Sequence, residues 1–345
     1  MAKPPLSMKP TGWFQVAWSA EIGIGEVRCM KYFDTEMIAW RSAAGAITVM
    51  DAYCEHLGAH LGHGGHVDGD RIVCPFHGWE WNSEGRNVCI PYERRPNRGR
   101  RIRSYPVAEL NESIFLWHDV DGGAPYFDVP DVLAGFDDDS TAADYYPAAT
   151  LLRHGLELHP QYVMENGVDF AHFAFVHKVP FMPDITRHDF TLPTSYVDFT
   201  IAFDENTRAE DVNSGVRAVN AGLGVAATKS WGMVDNRTLT AVTPVDDSTS
   251  DVRFSVWIGR RPGDTSTELP TRAKFLADAV IEQFTADIRI WSHQRYCDPP
   301  ALTQGEYDGF TQLREWAKQF YPEDRAAIET TSRRPGPLGS ERTHT

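Results

Sequence analysis

The stretch that decides the fold is CEHLGAHLGHGGHVDGDRIVCPFHGWEW, residues 54–81. It contains two short ligand pairs, Cys54-x-His56 and Cys74-x-x-His77. A glycine follows each histidine within two residues, so each pair sits in a sequence that favours a tight turn. Strand-like residues flank both turns. We therefore predict two short loops, from neighbouring β-hairpins, that close over a metal centre from opposite sides.

The order of the ligands indicates which centre this is. Structural zinc sites place two cysteines together and two histidines together. Here each loop supplies one cysteine and one histidine, which is the pattern of a Rieske [2Fe–2S] cluster, with two thiolates on one iron and two imidazoles on the other. His60, His63 and His66 lie between the loops and offer competing ligands, but their spacing matches neither pair, and we interpret them as surface or supporting residues. Such a centre transfers single electrons.

Composition sets the broad class of the chain. The 345 residues are 42% hydrophobic, which supports two ordinary globular domains. A formal charge of −15 argues against nucleic acid as a partner. No apolar run is long enough for a membrane span and the start resembles no signal peptide, so we predict a cytoplasmic protein. Cys29, Cys89 and Cys297 remain beside the two cluster cysteines, and this odd remainder fits a reducing compartment.

The pattern of strand-like, turn-forming and helical residues along the sequence predicts an α+β chain in four parts. Residues 1–120 read as a small antiparallel β domain that carries the cluster, and the acidic, Gly- and Pro-containing residues 121–148 read as a linker. Residues 149–330 predict a helix-grip-like domain, an antiparallel sheet with a long helix over 269–296 packed across it. Further helices are expected near 161–174 and 309–320. Residues 331–345 predict a disordered tail.

A second ligand set lies in the predicted helix near 165–177. Asp169, His172 and His177 are compactly spaced, and two histidines with one carboxylate are the ligands of mononuclear non-haem iron oxygenases. Residues five apart are separated by about 140° on an ideal helix, so we predict that the helix breaks near Phe175. Asp287 stands in an apolar stretch of the long helix and is the predicted third ligand. Taken singly, His172 or His177 also suits a hydrogen-bonded core histidine, and Asp287 also suits a partner for a nearby arginine.

At this point the chain resembles the catalytic subunits of Rieske non-haem iron oxygenases over nearly its whole length. The resemblance implies that Cys54, His56, Cys74 and His77 hold the cluster and that His172, His177 and Asp287 hold Fe(II). It implies that Asp169 bridges His172 to the cluster ligand His77 of a neighbouring subunit, that Asn166 lies near the iron, and that the chain forms a homotrimer. NADH electrons would come from a separate flavin and iron–sulfur reductase, because the chain has no dinucleotide-binding G-x-G-x-x-G unit.

Within this family, several stretches are most similar to the oxygenase components of the 3-ketosteroid 9α-hydroxylases, among them CPFHGWEWNSEGRNVCIPY and Phe284-x-x-Asp287-x-x-x-Trp291. The resemblance implies an O₂-dependent monooxygenase that hydroxylates a steroid or related apolar polycycle, with Phe284 and Trp291 lining the pocket; both also suit a plain core. Gly78 departs from the aspartate that the steroid enzymes tend to carry. Demethylation of an O- or N-methyl substrate, quaternary-amine oxidation and sterol desaturation stay open, as does an electron carrier without mononuclear iron.

A group of arginines between Arg94 and Arg103 stands out against the acidic total. It could dock an acidic surface of the reductase, or it could pair with the acidic linker.

Overall fold

The computed structural model describes residues 6–136, 139–191, 193–202, 212–232 and 234–323. The predicted disordered tail lies outside these residues. Within them the chain folds into four sheets in which every pair of neighbouring strands is antiparallel, with the helices concentrated in the second half. This confirms the predicted α+β class. None of the described helices combines the length and the apolar character that a membrane span requires.

Three small sheets make up the N-terminal part. Their strands are short because turn residues recur every few positions. One sheet has the order β1-β11-β10, the second β2-β3-β4-β9 and the third β5-β6-β7-β8. The strands are β1 Gly12–Trp18, β2 Val27–Tyr32, β3 Thr35–Arg41, β4 Ile47–Asp51, β5 His66–Asp68, β6 Arg71–Val73, β7 Glu80–Asn82, β8 Asn87–Cys89, β9 Ser104–Tyr105, β10 Val107–Leu110 and β11 Ser113–His118.

A seven-stranded antiparallel sheet dominates the C-terminal part. Its order is β12-β18-β17-β16-β15-β14-β13, so the first strand pairs with the last and the sheet is otherwise a meander. The strands are β12 Ala149–Leu156, β13 Asp184–Asp189, β14 Thr194–Thr200, β15 Gly215–Ala221, β16 Val225–Trp231, β17 Asn236–Pro244 and β18 Ser250–Ile258. Two short helices lie between β12 and β13, and the second of them carries His172 of the predicted ligand set.

The helices differ in detail from the prediction. The single helix expected near 161–174 is two short ones, α1 Pro160–Glu165 and α2 Ala171–Phe175, with Gly167 between them. The long helix α3 spans Thr271–Trp291 rather than 269–296, because Pro270 caps its start. The helix expected over 309–320 begins earlier, as α4 Gln304–Ala317, and continues as a 3-10 helix, Lys318–Phe320. Thr303 and Glu306 form a capping box that sets this start.

Two adjacent strands of the large sheet are covered on both faces. All nine residues of β17 and all nine of β18 are buried. Helix α3 packs on β18 and β12. Elsewhere Trp13 and Trp117 from the small sheet share a core with Val225, Leu239 and Trp257 of the large one. Their sequences, NRTLTAVTP and SDVRFSVWI, alternate polar with β-branched and aromatic residues, which is why both strands were clear from sequence although many of the buried residues are polar.

The acidic segment at 121–148 also packs into this shared core. Val129, Val132, Leu133 and Phe136 are buried against the tryptophans of the small sheet. Polar contacts bind the two parts further, since the Thr243 hydroxyl and the Arg253 guanidinium both donate to the carbonyl of Gln15 at 2.7 and 3.2 Å. The N-terminal sheets and the large sheet therefore form one continuous packed body.

Candidate metal centres

The two predicted cluster loops share one hydrogen-bond pattern. In the first, the N–H of Cys54 donates to the carbonyl of Ala59 and the N–H of Gly58 to that of Cys54, each at 2.9 Å. In the second, the N–H of Cys74 donates to the carbonyl of Trp79 at 2.9 Å and that of Gly78 to Cys74 at 3.0 Å. Gly58 and Gly78 adopt positive φ values of 74° and 69°. Each loop is thus a tight turn that only glycine closes without strain.

The loops bring the four predicted ligands together as two pairs. Cys54 and Cys74 are buried, and their thiols interact. The rings of His56 and His77 lie 4.8 Å apart, and the Trp79 indole stacks on His56 at 4.3 Å. The Nδ1 of His77 is buried and has no hydrogen-bond partner, which is the state expected of a nitrogen that binds a metal. A thiol pair beside an imidazole pair fits a [2Fe–2S] cluster.

Electrostatics also suits metal binding at this place. Burial raises the pKa of the Cys54 thiol to about 11, with the neighbouring Cys74 adding to the effect and the N–H of His56 opposing it. A thiol must lose its proton to bind iron, so the cluster irons would supply the positive charge that these buried sulfurs need.

The arrangement argues against the zinc alternative. A single ion needs ligand atoms that converge on one point. Among the described residues, two groups have at least three such atoms within 4.8 Å of one another, Cys29 with His60 and His63, and His172 with His177 and Asp287. The four loop residues do not form such a group. Their division into two pairs is what a centre with two irons requires.

The tip that carries the loops exposes apolar side chains. Leu57, Phe76 and Tyr92 are 66%, 61% and 58% exposed, and all three lie in or beside the ligand loops. The Tyr92 hydroxyl accepts a hydrogen bond from the Trp79 indole at 2.7 Å, which holds this rim against the cluster site. Apolar residues concentrated at a loop tip are typical of a contact surface.

The second predicted ligand set is assembled from two distant parts of the chain. His172 lies in α2, His177 follows it, and Asp287 lies in α3, yet one ligand atom from each falls within 4.8 Å of the others. Helix α2 ends at Phe175, as predicted, so the chain turns and the two imidazoles face each other with ring centroids 4.9 Å apart. The carboxylate of Asp287 lies 3.2 Å from Nε2 of His177 and is buried.

His172 is oriented for metal binding by its neighbour Asp169. Its Nδ1 contacts the main-chain carbonyl of Asp169, which leaves Nε2 buried and without a hydrogen-bond partner. Burial lowers the pKa of His172, so the ring is neutral and its free nitrogen can bind a cation. The Asp169 carboxylate accepts from the backbone N–H of His172 at 3.3 Å rather than from its ring. The contact of that carboxylate with a neighbour's His77 stays a prediction.

His177 is held between two residues of α3. Its Nδ1 bonds the side-chain carbonyl of Gln283 at 2.8 Å, and its Nε2 faces Asp287. Burial alone would lower the pKa of His177, but the hydrogen bond and charge of Asp287 outweigh it and raise the pKa. Gln283 was missed from the sequence, although it lies one turn before Asp287 on the same helix face, which is a readable signal. Two histidines and one carboxylate with such support fit Fe(II).

Aromatic rings form one wall of this site. Phe173 packs against both His172 and His177, at centroid distances of 4.3 and 5.5 Å, and against Phe199 of β14 at 5.2 Å. Phe170 also contacts Phe199, at 5.4 Å. The sequence analysis did not identify these phenylalanines as site residues, because β14 is remote in sequence. They give the two histidines an apolar neighbour on one side.

Other predicted site residues lie in different settings. Phe284 stacks on Phe254 of β18 at 4.1 Å and meets Trp291 edge-on at 5.7 Å, and both belong to the core beneath α3. Their role in lining a pocket stays a prediction. Asn166 caps the C-terminal end of α1, and its place near the iron also stays a prediction.

A cavity of about 550 Å³ lies elsewhere, against the large sheet, and is lined in part by Tyr145, Arg217, Lys229 and Arg260. It shares no residue with either predicted metal centre. Its polar, basic lining does not suit an apolar substrate.

Two family models match the chain. The Rieske [2Fe-2S] domain matches residues 12–106, and the model described as 3-Ketosteroid 9alpha-hydroxylase C-terminal domain matches residues 116–321, more than half of the chain. The first match confirms the predicted class of cluster, while the assignment of its four ligands stays a prediction. The boundary between the two matches falls close to His118, the last residue of β11.

Relatives extend over most of the chain. The oxygenase component of a 3-ketosteroid-9-alpha-monooxygenase from Rhodococcus rhodochrous is 29% identical over 332 residues, which cover 90% of this chain and 83% of that protein. A cholesterol 7-desaturase from Xenopus laevis is 28% identical, over a match that covers 94% of this chain and 74% of the length of that protein. Among solved structures, NdmA of Pseudomonas putida CBB5 with caffeine has a TM-score of 0.66 at 16% identity, covering 96% of this chain and 97% of that one. That likeness concerns the fold alone.

Proposed function

The chain belongs to the Rieske oxygenases that carry a 3-ketosteroid 9α-hydroxylase C-terminal domain, and we propose that it hydroxylates a 3-ketosteroid or a related apolar polycycle. Its enzyme class is that of the Rieske non-haem iron monooxygenases. The observation that carries the proposal is the convergence of His172, His177 and Asp287, with the buried Nε2 of His172 lacking any protein partner.

Each ligand residue has a defined task in this proposal. When bound, the cluster supplies single electrons and the ferrous ion activates O₂. His172 presents Nε2 because the carbonyl of Asp169 holds its other nitrogen, and His177 presents Nε2 because Gln283 holds its Nδ1. Asp287 adds the negative charge that fixes a dication. His172, His177 and Asp287 would hold the ferrous ion, which would leave room for O₂ and substrate to bind.

The aromatic wall supports an apolar substrate. Phe170, Phe173 and Phe199 form a continuous cluster of rings beside the iron ligands. Aromatic faces also attract cations, so the wall alone does not separate an apolar substrate from a quaternary amine, and the choice rests on the relatives. The relatives named above act, by their names, on 3-ketosteroids and cholesterol, which are large apolar ring systems. A steroid therefore suits both the wall and the relatives.

Electron delivery requires partner proteins under this proposal. NADH electrons would reach the cluster through a separate reductase. The apolar rim of Leu57, Phe76 and Tyr92 would contact the iron domain of a neighbouring chain, where Phe175 and Met182 are 75% and 53% exposed. Contact of these two apolar surfaces would join three copies head to tail into a homotrimer. The arginines between Arg94 and Arg103 would border this contact, since Arg100 lies 3.8 Å from Glu55 in the first cluster loop, and they would offer a basic edge to the reductase.

A single turnover tests the proposed reaction without the reductase. The holoenzyme is reduced chemically under anaerobic conditions, androst-4-ene-3,17-dione is added, O₂ is admitted, and the products are analysed by mass spectrometry. The proposal expects a product with one added oxygen atom, in near-stoichiometric yield. ¹⁸O₂ should label that product. No steroid product, from protein with an intact Rieske spectrum and iron beyond that of the cluster, would contradict the steroid assignment and leave the iron site standing.

A pair of histidine variants controls this experiment. His172→Ala should abolish product because it removes a predicted iron ligand, while the Rieske spectrum should persist. His293→Ala changes an exposed histidine at the end of α3 and should turn over normally. Product formed equally by both variants would place the chemistry elsewhere.

Sterol desaturation is the second candidate, favoured by the relative from Xenopus laevis that matches 94% of the chain. The same experiment with cholesterol separates the two reactions. Desaturation yields a product two hydrogens lighter and without label from ¹⁸O₂, whereas hydroxylation adds one labelled oxygen.

A further inference from the structure

A third group of side chains of the kinds that bind metals lies beside the first cluster loop, outside both centres described above. The Sγ of Cys29 and one ring nitrogen each of His60 and His63 fall within 4.8 Å of one another. Cys29 belongs to β2, whereas the two histidines lie in the segment between β4 and β5. Neither set of oxygenase ligands uses these residues, and their approach depends on tertiary folding.

The sheet positions the thiol and a glycine makes room for it. Cys29 lies opposite Ile38 in the β2–β3 register. Its side chain therefore lies on the same sheet face as that of Ile38, and the residues around His60, between β4 and β5 (the His60 segment), cross this face. Gly62 covers this place. A Cβ on Gly62 would overlap the Cys29 sulfur and lie 3.1 Å from both a His60 ring carbon and the Ile38 side chain. The backbone thus approaches the thiol as closely as only glycine permits.

The two histidines are held by local contacts. A β-bridge joins Tyr53 to His60, and their rings meet edge-on at 5.1 Å. The His63 N–H donates to the carbonyl of His60 at 3.2 Å, and the two imidazole centroids lie 4.4 Å apart. The Tyr53 hydroxyl donates to Glu36, which places a carboxylate beside the group.

One thiolate and two imidazoles are a recognisable donor set. Zinc prefers cysteine sulfur and histidine nitrogen in a tetrahedral arrangement, and carboxylates favour magnesium or calcium instead. Cys29 and His63 are exposed, so an ion has a path from solvent and a water can complete its coordination. The Nδ1 of His60 accepts a 3.1 Å hydrogen bond from the N–H of Gly62. Coordination through Nδ1 would replace this one contact.

We propose that Cys29, His60 and His63 form a third metal site, which takes one divalent ion of the zinc class. The ion would link β2 to the segment that directly follows the first cluster loop. Because Cys54 and His56 lie in that loop, the ion would brace the loop without touching the cluster. Binding releases the thiol proton, so affinity rises with pH.

Zinc X-ray absorption on the holoenzyme tests this site. Zinc is added to protein with a full cluster, the excess is removed, and the zinc edge is measured, which iron does not disturb. The proposal expects one sulfur scatterer at about 2.3 Å together with nitrogen or oxygen scatterers at about 2.0 Å. Zinc that displaced the mononuclear iron would show nitrogen and oxygen alone, so the sulfur identifies the new site. Absence of the sulfur scatterer in zinc-loaded wild type would overturn the proposal.

Variants assign the sulfur to a residue. Cys29→Ser should lose the sulfur scatterer and about one zinc per chain, and Cys297→Ser, which changes another exposed cysteine, should lose neither. Gly62→Ala should also lose both, because its methyl group displaces the thiol by rotation about χ1. Gly99→Ala is the matched control, since its methyl group meets nothing closer than 3.4 Å. Retention of the sulfur scatterer in Cys29→Ser would refute the assignment. An intact Rieske EPR signal in every variant confirms that folding is unchanged.

Discussion

The two oxygenase metal centres are built in opposite ways. The cluster loops are local structures, each closed by its own pair of hydrogen bonds and its own positive-φ glycine. The proposed iron site joins His172 and His177 to Asp287, more than a hundred residues later, and depends on the packing of α3 against the large sheet. Local turns position the ligands of the cluster, whereas the packing of α3 positions the ligands of the proposed iron site.

This difference predicts different sensitivities. Damage to a cluster loop costs conformational free energy at one turn, whereas damage to α3 removes a ligand and its support together. The iron site is therefore the part more easily lost without unfolding the chain. The following predictions test or refine that comparison.

The largest effect is expected from Asp287→Ala. Loss of the only carboxylate in the iron ligand set should lower single-turnover product by more than about 100-fold, since even residues that only support ligands contribute up to that factor. Iron analysis should show the loss of one iron per chain with an unchanged Rieske spectrum. Asp278→Ala, which changes an exposed acid on the same helix paired with Lys274, should retain activity. Equal iron content in both variants would contradict the ligand assignment.

Acid should destabilise both parts of the molecule through one buried histidine each. Burial lowers the pKa of His118 in β11 and of His159 before α1 to about 4, with carbonyl contacts from Pro10 and Ser7 opposing it. In the unfolded chain both titrate near 6.5, so below that pH the unfolded state binds protons that the folded state does not. Stability is full above about pH 6.5 and falls as pH drops towards 4, by on the order of 3 kcal/mol per histidine.

Thermal unfolding at a fixed heating rate between pH 7 and pH 4.5 measures this effect. His159→Gln and His118→Gln should each flatten the fall of the midpoint with pH, and His293→Gln, an exposed control, should not. A pH dependence identical in all four proteins would show that other groups control acid unfolding.

Gln283→Leu should weaken the iron site moderately. It removes the oxygen that holds Nδ1 of His177, and such supporting contacts contribute about 10- to 100-fold to metal affinity or activity. The measurement is iron affinity by competition with a chelator, alongside single-turnover yield. Glu282→Leu alters the adjacent exposed position and serves as the control. Unchanged iron affinity and product yield in Gln283→Leu would mean that His177 is oriented by Asp287 alone.

The smallest effects are expected at the cluster glycines. Gly58→Ala should cost about 1 kcal/mol, because alanine is strained at positive φ and its methyl group meets nothing within 4 Å. Gly78→Ala should cost more, since its methyl group would lie 3.0 Å from Pro91. Apparent unfolding midpoints rank the two variants, and both should keep the Rieske EPR signal. A larger loss at Gly58 would contradict the view of two equivalent turns.

Prediction from sequence succeeded where spacing alone carries the chemistry. The Rieske class of the cluster was readable because the geometry of each loop is set within five or six residues, and the end of α2 at Phe175 followed from helical geometry. The four ligands themselves stay a prediction. It was less successful where packing decides. The break between α1 and α2 was missed because short helices in a buried segment are stabilised by their neighbours rather than by propensity.

The supporting residues show the same division. The four-residue spacing of Gln283 and Asp287 shows from sequence that they share a helix face. Nothing in the sequence shows that both contact His177. Phe173 and Phe199 are in contact although they are far apart in sequence, and no local sequence pattern predicts such a contact. Cys29 was set aside as an unpaired thiol, and only the folded chain brings it to His60 and His63.

The sequence by itself determined the Rieske class of the first centre, because cysteine and histidine at this spacing suit few metal centres, and it predicted a mononuclear iron site for the second. It also determined the antiparallel sheets, since alternation and turn residues are local. Only the tertiary structure decided which distant side chains share a site, because that depends on the packing of α3 on β18 and of β2 beneath the His60 segment. Contacts between remote residues are selected by the burial of whole faces, and no local pattern of residues encodes them.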